Sequence, residues 1–280
     1  MKRKFSIKEI TLAAALLMTG FSSIAEELSG NSGKSIENET IKIAVIFGIT
    51  GLGESERTNT YQYEIAKFAI DEVNEKGGVL GKKIEILFFD TQSTGLGSKI
   101  AAKKAVDAGV TAVVGPAWSS TALGAAPVLQ KAKIPMVATT ATNPNVTLIG
   151  DYIFRACFID SFQGKVMANF AINDLEAKSA VILTNVGNQY STGIAKFFIM
   201  NFQKSGGKVL WEGDYSASET DFRLQLEKTK KLNPDVVYVP GYLRDSGFII
   251  KQARKMGISV PFLGGDGWGE SMFKYGGDYV

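Results

Sequence analysis

Two residue types are missing or nearly missing from this sequence of 280 residues, which has no histidine and one cysteine. Without histidine, the chain lacks the usual general base, the Ser/His and Cys/His nucleophile pairs and the commonest transition-metal ligand. The single cysteine, Cys157, excludes an intramolecular disulfide and every CxxC zinc or redox motif. We therefore expect no catalytic residue, no metal site and no cofactor, and we expect Cys157 to be a buried thiol.

The chain also has little excess charge of either sign. Its net charge of +3 comes from 31 basic and 28 acidic residues, and four of the basic residues but only one acidic residue precede residue 26. The rest of the chain carries 27 of each kind. This balance gives no electrostatic argument for binding nucleic acid, and we expect no nucleic-acid partner. Small neutral or zwitterionic ligands fit a neutral chain better.

The first 25 residues have the pattern of an export signal. Basic residues up to Lys8 precede an apolar run from Ile10 to Met18, and Ser23-Ile24-Ala25 places small residues at the two positions that signal peptidase reads. This run is too short to cross a hydrocarbon core, which takes about 20 residues. The pattern predicts a signal peptide over residues 1–25, cleaved after Ala25, and a flexible polar leader over residues 26–40.

From residue 41 the sequence alternates short β-branched runs with amphipathic segments, which is the pattern of βαβ units. Continuous apolar strands indicate parallel sheets that are covered on both faces. The pattern breaks around residues 151–161, where we expect a crossover between lobes. It predicts an α/β protein of two doubly wound parallel-sheet lobes, an N-terminal lobe over 41–158 and a C-terminal lobe over 159–280. The predicted extended segments are Ile41–Val45, Ile84–Phe89, Ala112–Val114, Met136–Ala138, Tyr152–Arg155, Ala180–Leu183, Lys208–Trp211, Val236–Val239 and Phe262–Leu263.

Two of the predicted helices carry specific signals. Ile65, Ala69 and Val73 fall on one face at i, i+4 and i+8 of a helix that ends near Gly77. The spacing predicts that this apolar face packs on the sheet. Asp160 is suited to cap the helix that follows the lobe crossover.

The loop from Gly48 to Ser55 has the outline of a phosphate-binding loop. However, Glu54 stands where such a loop needs lysine, and the GxGxxG spacing of a dinucleotide turn is absent. The sequence therefore favours a flexible turn at the edge of a cleft.

Hydroxyl side chains follow two consecutive predicted strands at their carboxyl ends. Ser119, Ser120 and Thr121 begin a helical run after the strand that ends at Val114, and Thr139-Thr140-Ala141-Thr142-Asn143 follows the next strand. Backbone N–H groups at a helix start attract carboxylates. Two such loops on adjacent strands are expected to converge on one small polar group. Taken alone, Ser119 is better interpreted as an ordinary helix N-cap, and the second hydroxyl-bearing loop is what favours a binding role.

Further short motifs occur in order along residues 41–280. Together with the two hydroxyl-bearing loops, they resemble the periplasmic branched-chain amino-acid-binding proteins, which are soluble receptors of ABC importers with the type I periplasmic-binding fold. One motif alone carries little information, but their number and order are specific. The motifs are Asn74-Glu75-Lys76-Gly77-Gly78-Val79-Leu80-Gly81-Lys82, Gly115-Pro116, Asp160-Ser161-Phe162-Gln163-Gly164, Gln189-Tyr190, Gly241-Tyr242, Gln252-Ala253-Arg254 with Gly257, and Gly264-Gly265-Asp266-Gly267.

The resemblance implies a two-lobed clamp that binds a small amino acid, branched-chain-like, and delivers it to an ABC permease in the inner membrane. It implies a periplasmic binding protein and not an enzyme. By position, Ser119 and Thr142 would supply hydroxyls and N–H donors to the ligand carboxylate. The Thr140 carbonyl and the Asp266 carboxylate would receive the ammonium group.

Three aromatic residues complete the implied site. Tyr190 and Tyr242 occupy positions where rings seal the cleft, although either could be plain packing. Trp118 lies beside the first hydroxyl loop and could form an apolar wall for the ligand or belong to the core. The first loop has no ring before Tyr61, so the motifs do not specify the ligand side chain.

Other functions stay open at this stage. The same fold resembles amide sensors and receptor ectodomains, and within transport the ligand could be urea, an amide or an aromatic acid. A secreted α/β enzyme is a third class, which the lack of histidine disfavours. Members of the family continue past a Gly-Gly-Asp turn like that at residues 276–278 and return to the first lobe. The resemblance therefore implies a chain truncated at its C-terminus, without that return.

Overall fold

The computed structural model describes residues 40–51 and 55–280. The predicted signal peptide and the predicted leader up to residue 39 lie outside the described residues, as do residues 52–54 of the glycine-rich loop. Residues Thr40–Val280 form one compact unit. Within the part of the chain that the structure describes, no helix is both long and apolar enough to cross a membrane.

The strands form two sheets, and all pairings between strands are parallel. The strand order is β2-β1-β3-β4-β5 in the first sheet and β7-β6-β8-β9 in the second. This arrangement confirms the predicted α/β class with two parallel-sheet lobes. The strands are β1 Ile41–Phe47, β2 Ile84–Asp90, β3 Ala112–Val114, β4 Met136–Ala138, β5 Ile153–Arg155, β6 Ser179–Asn185, β7 Lys208–Tyr215, β8 Val236–Tyr238 and β9 Phe262–Leu263.

Helices connect successive strands, as parallel pairing requires. They are α1 Ser55–Glu75, α2 Gly95–Asp107, α3 Ser119–Ala132, α4 Asp160–Asn173, α5 Gln189–Lys204, α6 Arg223–Leu232, α7 Leu243–Lys255 and the short α8 Phe273–Gly276. Short 3-10 segments occupy Pro144–Ile149, Glu270–Met272 and Gly277–Tyr279.

The second sheet is covered on both faces. Residues of α4 and α5 pack on one face around the buried rings of Phe198 and Tyr238, whose centroids are 4.0 Å apart. Residues of α6 and α7 pack on the other face, around Leu226 and Ile249. Burial of these apolar side chains is the main source of stability for such a lobe.

The first sheet is covered less evenly. On one face α2 and α3 pack closely through alanines such as Ala101 and Ala126, which are at most 1% exposed. On the other face α1 contributes Tyr63 and Ala66 to a smaller cluster.

The prediction that Ile65, Ala69 and Val73 form the packed face of α1 is wrong. All three are exposed, with 67% of the Ile65 surface and 37% of the Val73 surface accessible. The helix has a second apolar row, which includes Tyr63 and Ala66, and that row packs on the sheet. A helix that is apolar on two sides gives a periodicity signal that does not choose between them.

The strand order reverses at one point in each sheet. These points lie between β1 and β3 in the first sheet and between β6 and β8 in the second. Ligands of open parallel sheets bind outside the carboxyl ends of strands at such points. Gly115, directly after β3, has φ +93, and a Cβ there would lie 2.4 Å from the Ile46 carbonyl oxygen. Glycine thus allows the loop after β3 to lie against β1.

The segment between β5 and α4 connects the two sheets. The Arg155 side chain donates to the carbonyl oxygens of Ala141 at 2.7 Å and Asn143 at 2.9 Å, which fixes the connection against the loop after β4. Cys157 in this segment is free and only partly buried, not fully buried as predicted, and its burial raises the pKa of the thiol. The lobe boundary between residues 158 and 159 stays a prediction.

Candidate functional site

The loops after β3 and β4 meet at one edge of the first sheet. The two strands are adjacent and parallel, so their loops leave in the same direction. The Thr140 hydroxyl donates to the Ala117 carbonyl oxygen at 2.8 Å and holds the loops together. Thr140 is otherwise exposed, and its carbonyl accepts no hydrogen bond from the residues that the structure describes. The two hydroxyl-bearing loops thus lie in contact, and their convergence on one small polar group stays a prediction.

One interpretation of the sequence made Ser119 the N-cap of α3. In the structure Ser119 is instead the first residue of the helix. The N-cap is Trp118, whose side chain makes no capping hydrogen bond. The Ser119 hydroxyl instead accepts from the backbone N–H of Asn143 at 3.2 Å, and Ser119 is 1% exposed. The first turn of α3 therefore has N–H groups that no capping side chain satisfies.

Thr142 lies in the buried part of the loop after β4. The residue is 1% exposed, and its hydroxyl lies beside the Asp160 carboxyl group, with no other hydrogen-bond partner among the described residues. Its carbonyl oxygen accepts from the Asp160 backbone N–H at 2.9 Å. A buried hydroxyl with a single neighbouring carboxyl group has hydrogen-bonding capacity left for a ligand.

Asp160 was predicted to cap α4, but the N-cap is Ile159 and Asp160 is the first helical residue. Its carboxyl group is buried, one oxygen accepts from Gln163 at 3.0 Å, and the other lies beside the Thr142 hydroxyl with no other hydrogen-bond partner among the described residues. Burial raises the pKa of Asp160 to about 6, an effect that the nearby Thr142 and Gln163 side chains oppose and that Asp266 strengthens.

Three aromatic rings form a row that crosses from the first lobe to the second. The Trp118 ring meets the Tyr242 ring edge to face with centroids 4.3 Å apart, and Tyr242 stacks on Tyr190 at 5.1 Å. Tyr190 and Tyr242 lie at the starts of α5 and α7, after β6 and β8. Burial raises the pKa of both tyrosines, so their hydroxyls stay protonated at neutral pH. The rings enclose the edge of the junction between the lobes.

Asp266 follows β9 in an exposed glycine-rich turn, yet it is fixed to the same network. Gln163 donates to its carboxylate at 2.8 Å, and the next backbone N–H, that of Gly267, donates to the Tyr190 hydroxyl at 2.9 Å. Asp266 is thereby connected through Gln163 to Asp160, whose backbone N–H donates to Thr142.

All seven residues predicted for the site thus lie in one connected network at the carboxyl ends of the two sheets. The residues are Trp118, Ser119, Thr140, Thr142, Tyr190, Tyr242 and Asp266. Their role in ligand binding stays a prediction.

Sequence reasoning missed the polar contacts that join the lobes directly. The Asn143 side chain donates to the Gln189 carbonyl oxygen at 2.7 Å, and the Gln189 N–H donates to the Ser120 hydroxyl at 3.0 Å. A Cβ on Gly193 would lie 2.7 Å from the Asn143 amide, so glycine lets α5 approach the first lobe. Asn143, Gln189 and Gln163 all fall inside the motifs quoted above, but a motif does not say which polar groups pair.

Two surface cavities lie away from this network. A cavity of 370 Å³ opens between α6 and α7 beside Asp221 and Lys255, and a cavity of 540 Å³ opens along α5 and β7 beside Lys196 and Glu212. Neither is lined by any of the seven predicted residues. The described residues include no group of three or more acidic or cysteine side chains that could hold a metal ion.

Comparison with known proteins shows the family to which the chain belongs. The family model described as periplasmic binding protein matches residues 40–280. A leucine-, isoleucine-, valine-, threonine- and alanine-binding protein of Pseudomonas aeruginosa is 30% identical over 265 residues, which cover 93% of this chain and 66% of the relative. The chain thus spans slightly less than two thirds of that relative's length.

Two solved structures resemble the chain at 36% identity. A leucine-binding protein of Thermotoga maritima matches with a TM-score of 0.80, over 86% of this chain and 68% of that one. A branched-chain amino acid transporter substrate-binding protein of Streptococcus pneumoniae, in complex with isoleucine, matches with a TM-score of 0.77, over 85% of this chain and 68% of that one. On the extent of the family match, the chain belongs to the periplasmic binding protein family.

Proposed function

We propose that this chain binds a small branched-chain-like amino acid between its two lobes, as the substrate-binding protein of an ABC importer. Ser119 and Thr142 bind the ligand carboxylate, and the Thr140 carbonyl and Asp266 bind its ammonium group. The rings of Trp118, Tyr190 and Tyr242 contact the ligand's apolar part. Membership of the family rests on the match over residues 40–280, whereas the ligand and the permease partner are proposed.

One observation carries the proposal. The buried Thr142 hydroxyl and one buried Asp160 carboxyl oxygen lie beside each other, neither has another hydrogen-bond partner among the described residues, and both belong to the network that contains Asp266. Polar atoms in a dry interior are normally paired. An amino acid offers a carboxylate acceptor for hydroxyl and N–H donors and an ammonium donor for carboxylates, so it matches these groups in charge and in hydrogen-bond type.

The names of the relatives support the choice of ligand. The Pseudomonas relative is named for five apolar or small amino acids, and the Streptococcus structure holds isoleucine. We extend that ligand class to this chain, together with export to the periplasm after cleavage at Ala25 and delivery to an inner-membrane permease.

The proposed mechanism is capture by closure of the two lobes. The ligand binds first to the hydroxyl loops of the first lobe, and contacts from the second lobe favour the closed arrangement. Closure excludes water, which strengthens the charge-assisted hydrogen bonds of the ammonium group. Micromolar affinity requires about 8 kcal/mol, which several such bonds and one buried side chain can supply.

The test is calorimetric titration of the purified chain with leucine, isoleucine, valine, alanine and a set of charged amino acids. We expect binding of branched-chain amino acids at micromolar concentrations and none of the charged ones. Ser119→Ala should weaken this binding, whereas Ser205→Ala, at the exposed end of α5, should leave it unchanged. Binding that is indifferent to Ser119→Ala would refute the proposed site, and the absence of amino-acid binding would refute the function.

A second candidate ligand is an aromatic carboxylic acid. The row of three rings favours it, because stacked and edge-to-face contacts suit a planar aromatic ligand. Such a ligand needs no acidic partner. Titration with benzoate and hydroxybenzoates separates the two candidates, since only amino-acid binding should depend on Asp266.

A further inference from the structure

The side-chain amide of Gln163 contacts both acidic side chains of the network. Its nitrogen donates to one carboxyl oxygen of Asp160 at 3.0 Å and to one of Asp266 at 2.8 Å. Its oxygen accepts from the Asp266 backbone N–H at 3.2 Å. A single amide on α4 therefore holds Asp266, 103 residues away in sequence, by both its side chain and its backbone.

Glutamine is well suited to this arrangement. Its amide has two N–H donors and one acceptor oxygen, and all three functions are engaged by the two aspartates. Glutamate would offer no donor, and asparagine would be one methylene shorter. The arrangement thus depends on the amide group and on the length of the side chain.

The surrounding backbone is shaped around this contact. A Cβ on Gly265 would lie 3.0 Å from the Gln163 amide oxygen and 2.6 Å from the Tyr190 hydroxyl. Any side chain at residue 265 would therefore push the turn away from Gln163. The other side of the turn is held by the hydrogen bond from Gly267 to Tyr190.

The hydrogen bond from Gln163 leaves the second Asp266 carboxyl oxygen available. That oxygen accepts no hydrogen bond from the residues that the structure describes, and Asp266 is exposed. An exposed aspartate without a fixed partner would sample several rotamers, and ordering it on binding would reduce affinity. Gln163 reduces the entropic cost of ordering Asp266, because it holds one carboxyl oxygen while the other stays free to accept from the ligand's ammonium group.

We propose that Gln163 is a positioning residue that orients Asp266 toward the ligand amine and thereby sets the preference for amine-bearing acids over their deaminated analogues. This inference rests on the proposed function, because it takes Asp266 as the partner of the ammonium group. Gln163 itself need not contact the ligand.

The test compares L-isoleucine with 2-hydroxy-3-methylpentanoate, which carries a hydroxyl in place of the amine. Dissociation constants for both are measured by calorimetry on the parent chain, on Gln163→Met, which keeps the side-chain length without the amide, and on Gln163→Asn. The matched control is Gln203→Met, at an exposed position near the end of α5. Circular dichroism melting shows which variants are folded.

We expect the parent to prefer isoleucine and both Gln163 variants to lose about tenfold of that preference. Hydroxy-acid affinity should stay within about twofold, and Gln203→Met should behave as the parent does. An equal loss for both ligands would indicate a structural role and overturn the inference, as would an unchanged preference in folded variants. A parent that binds isoleucine no better than the hydroxy acid would overturn the proposed role of Asp266, and the inference with it.

Discussion

The two sides of the junction between the lobes are built differently. On the first-lobe side, Thr140 and Ser119 are fixed by hydrogen bonds to backbone groups of the same lobe. On the second-lobe side, Tyr190 and Asp266 are fixed through the turn after β9 and through Gln163. We infer that the first lobe presents polar groups fixed by its own backbone, beside Trp118, whereas the second lobe supplies a carboxylate and the rings of Tyr190 and Tyr242. Substitutions on the two sides should therefore weaken the binding of different groups of the ligand.

Asp160 links the two sides, and replacing it with asparagine should have the largest effect. Because burial raises its pKa from 3.8 to about 6, the folded chain binds this proton more tightly than the unfolded chain. Ionisation of Asp160 therefore lowers the free energy of unfolding by about 3 kcal/mol as the pH rises from about 4 to about 6. Asp160→Asn should remove this loss and raise the melting temperature at pH 7.

The measurement is thermal melting of ligand-free protein between pH 4 and pH 8. The control is Asp174→Asn, an exposed acidic residue at the end of α4. Parallel curves for the parent and Asp160→Asn across this range would contradict the assigned cause.

The second-largest effect is expected on the charged side of the junction. Asp266→Asn removes the carboxylate that pairs with the ammonium group, and loss of such a charge-assisted bond costs about 2–3 kcal/mol, or about 100-fold in affinity. Titration with isoleucine should show this loss, while the hydroxy acid binds Asp266→Asn about as well as it binds the parent. If both ligands lose affinity equally, Asp266 does not bind the ammonium group specifically, and the two lobes do not bind different groups of the ligand as proposed.

A smaller effect is expected on the first-lobe side. Ser119→Ala removes one neutral hydroxyl near the ligand carboxylate, which is worth about 1 kcal/mol, or five- to tenfold in affinity. Because the carboxylate is common to both probes, isoleucine and the hydroxy acid should lose affinity to the same extent. Selective loss for isoleucine alone would reverse the assignment of the two sides.

The smallest effect is expected from removal of a phenolic hydroxyl in the ring row. Tyr242→Phe keeps the ring contacts with Trp118 and Tyr190, so affinity should change by less than about threefold. Tyr242→Ala removes the ring itself and should cost about 1–2 kcal/mol. Equal losses in the two variants would mean that the hydroxyl, and not the ring, contributes to binding.

Much of the fold could be predicted because its strands are short β-branched runs between clear turns. Predictions such as Ala112–Val114 and Met136–Ala138 coincide with β3 and β4. The prediction for β7 stopped at Trp211, whereas the strand continues to Tyr215. Pairing with β6 extends it through polar residues that local preference does not favour.

Features that depend on packing could not be read from the sequence. In α1 the exposed apolar row with Ile65 is as periodic as the row with Tyr63 and Ala66 that packs on the sheet. Which row packs depends on how the helix docks on the sheet, and that is not encoded in the periodicity. The helices predicted to be capped by Ser119 and Asp160 begin one residue earlier than the capping signal suggests, and the two side chains contact Asn143 and Gln163 instead. The site residues were found through ordered motifs, whereas the partners of Asn143 and Gln163 arise from how the two lobes meet.

The most direct test of the account is a crystal structure of this chain with L-isoleucine. The account predicts the ligand carboxylate within hydrogen-bond distance of the Ser119 and Thr142 hydroxyls and the ammonium group on the free carboxyl oxygen of Asp266. An isoleucine bound elsewhere, for example in the cavity between α6 and α7, or bound with its ammonium group away from Asp266, would contradict it.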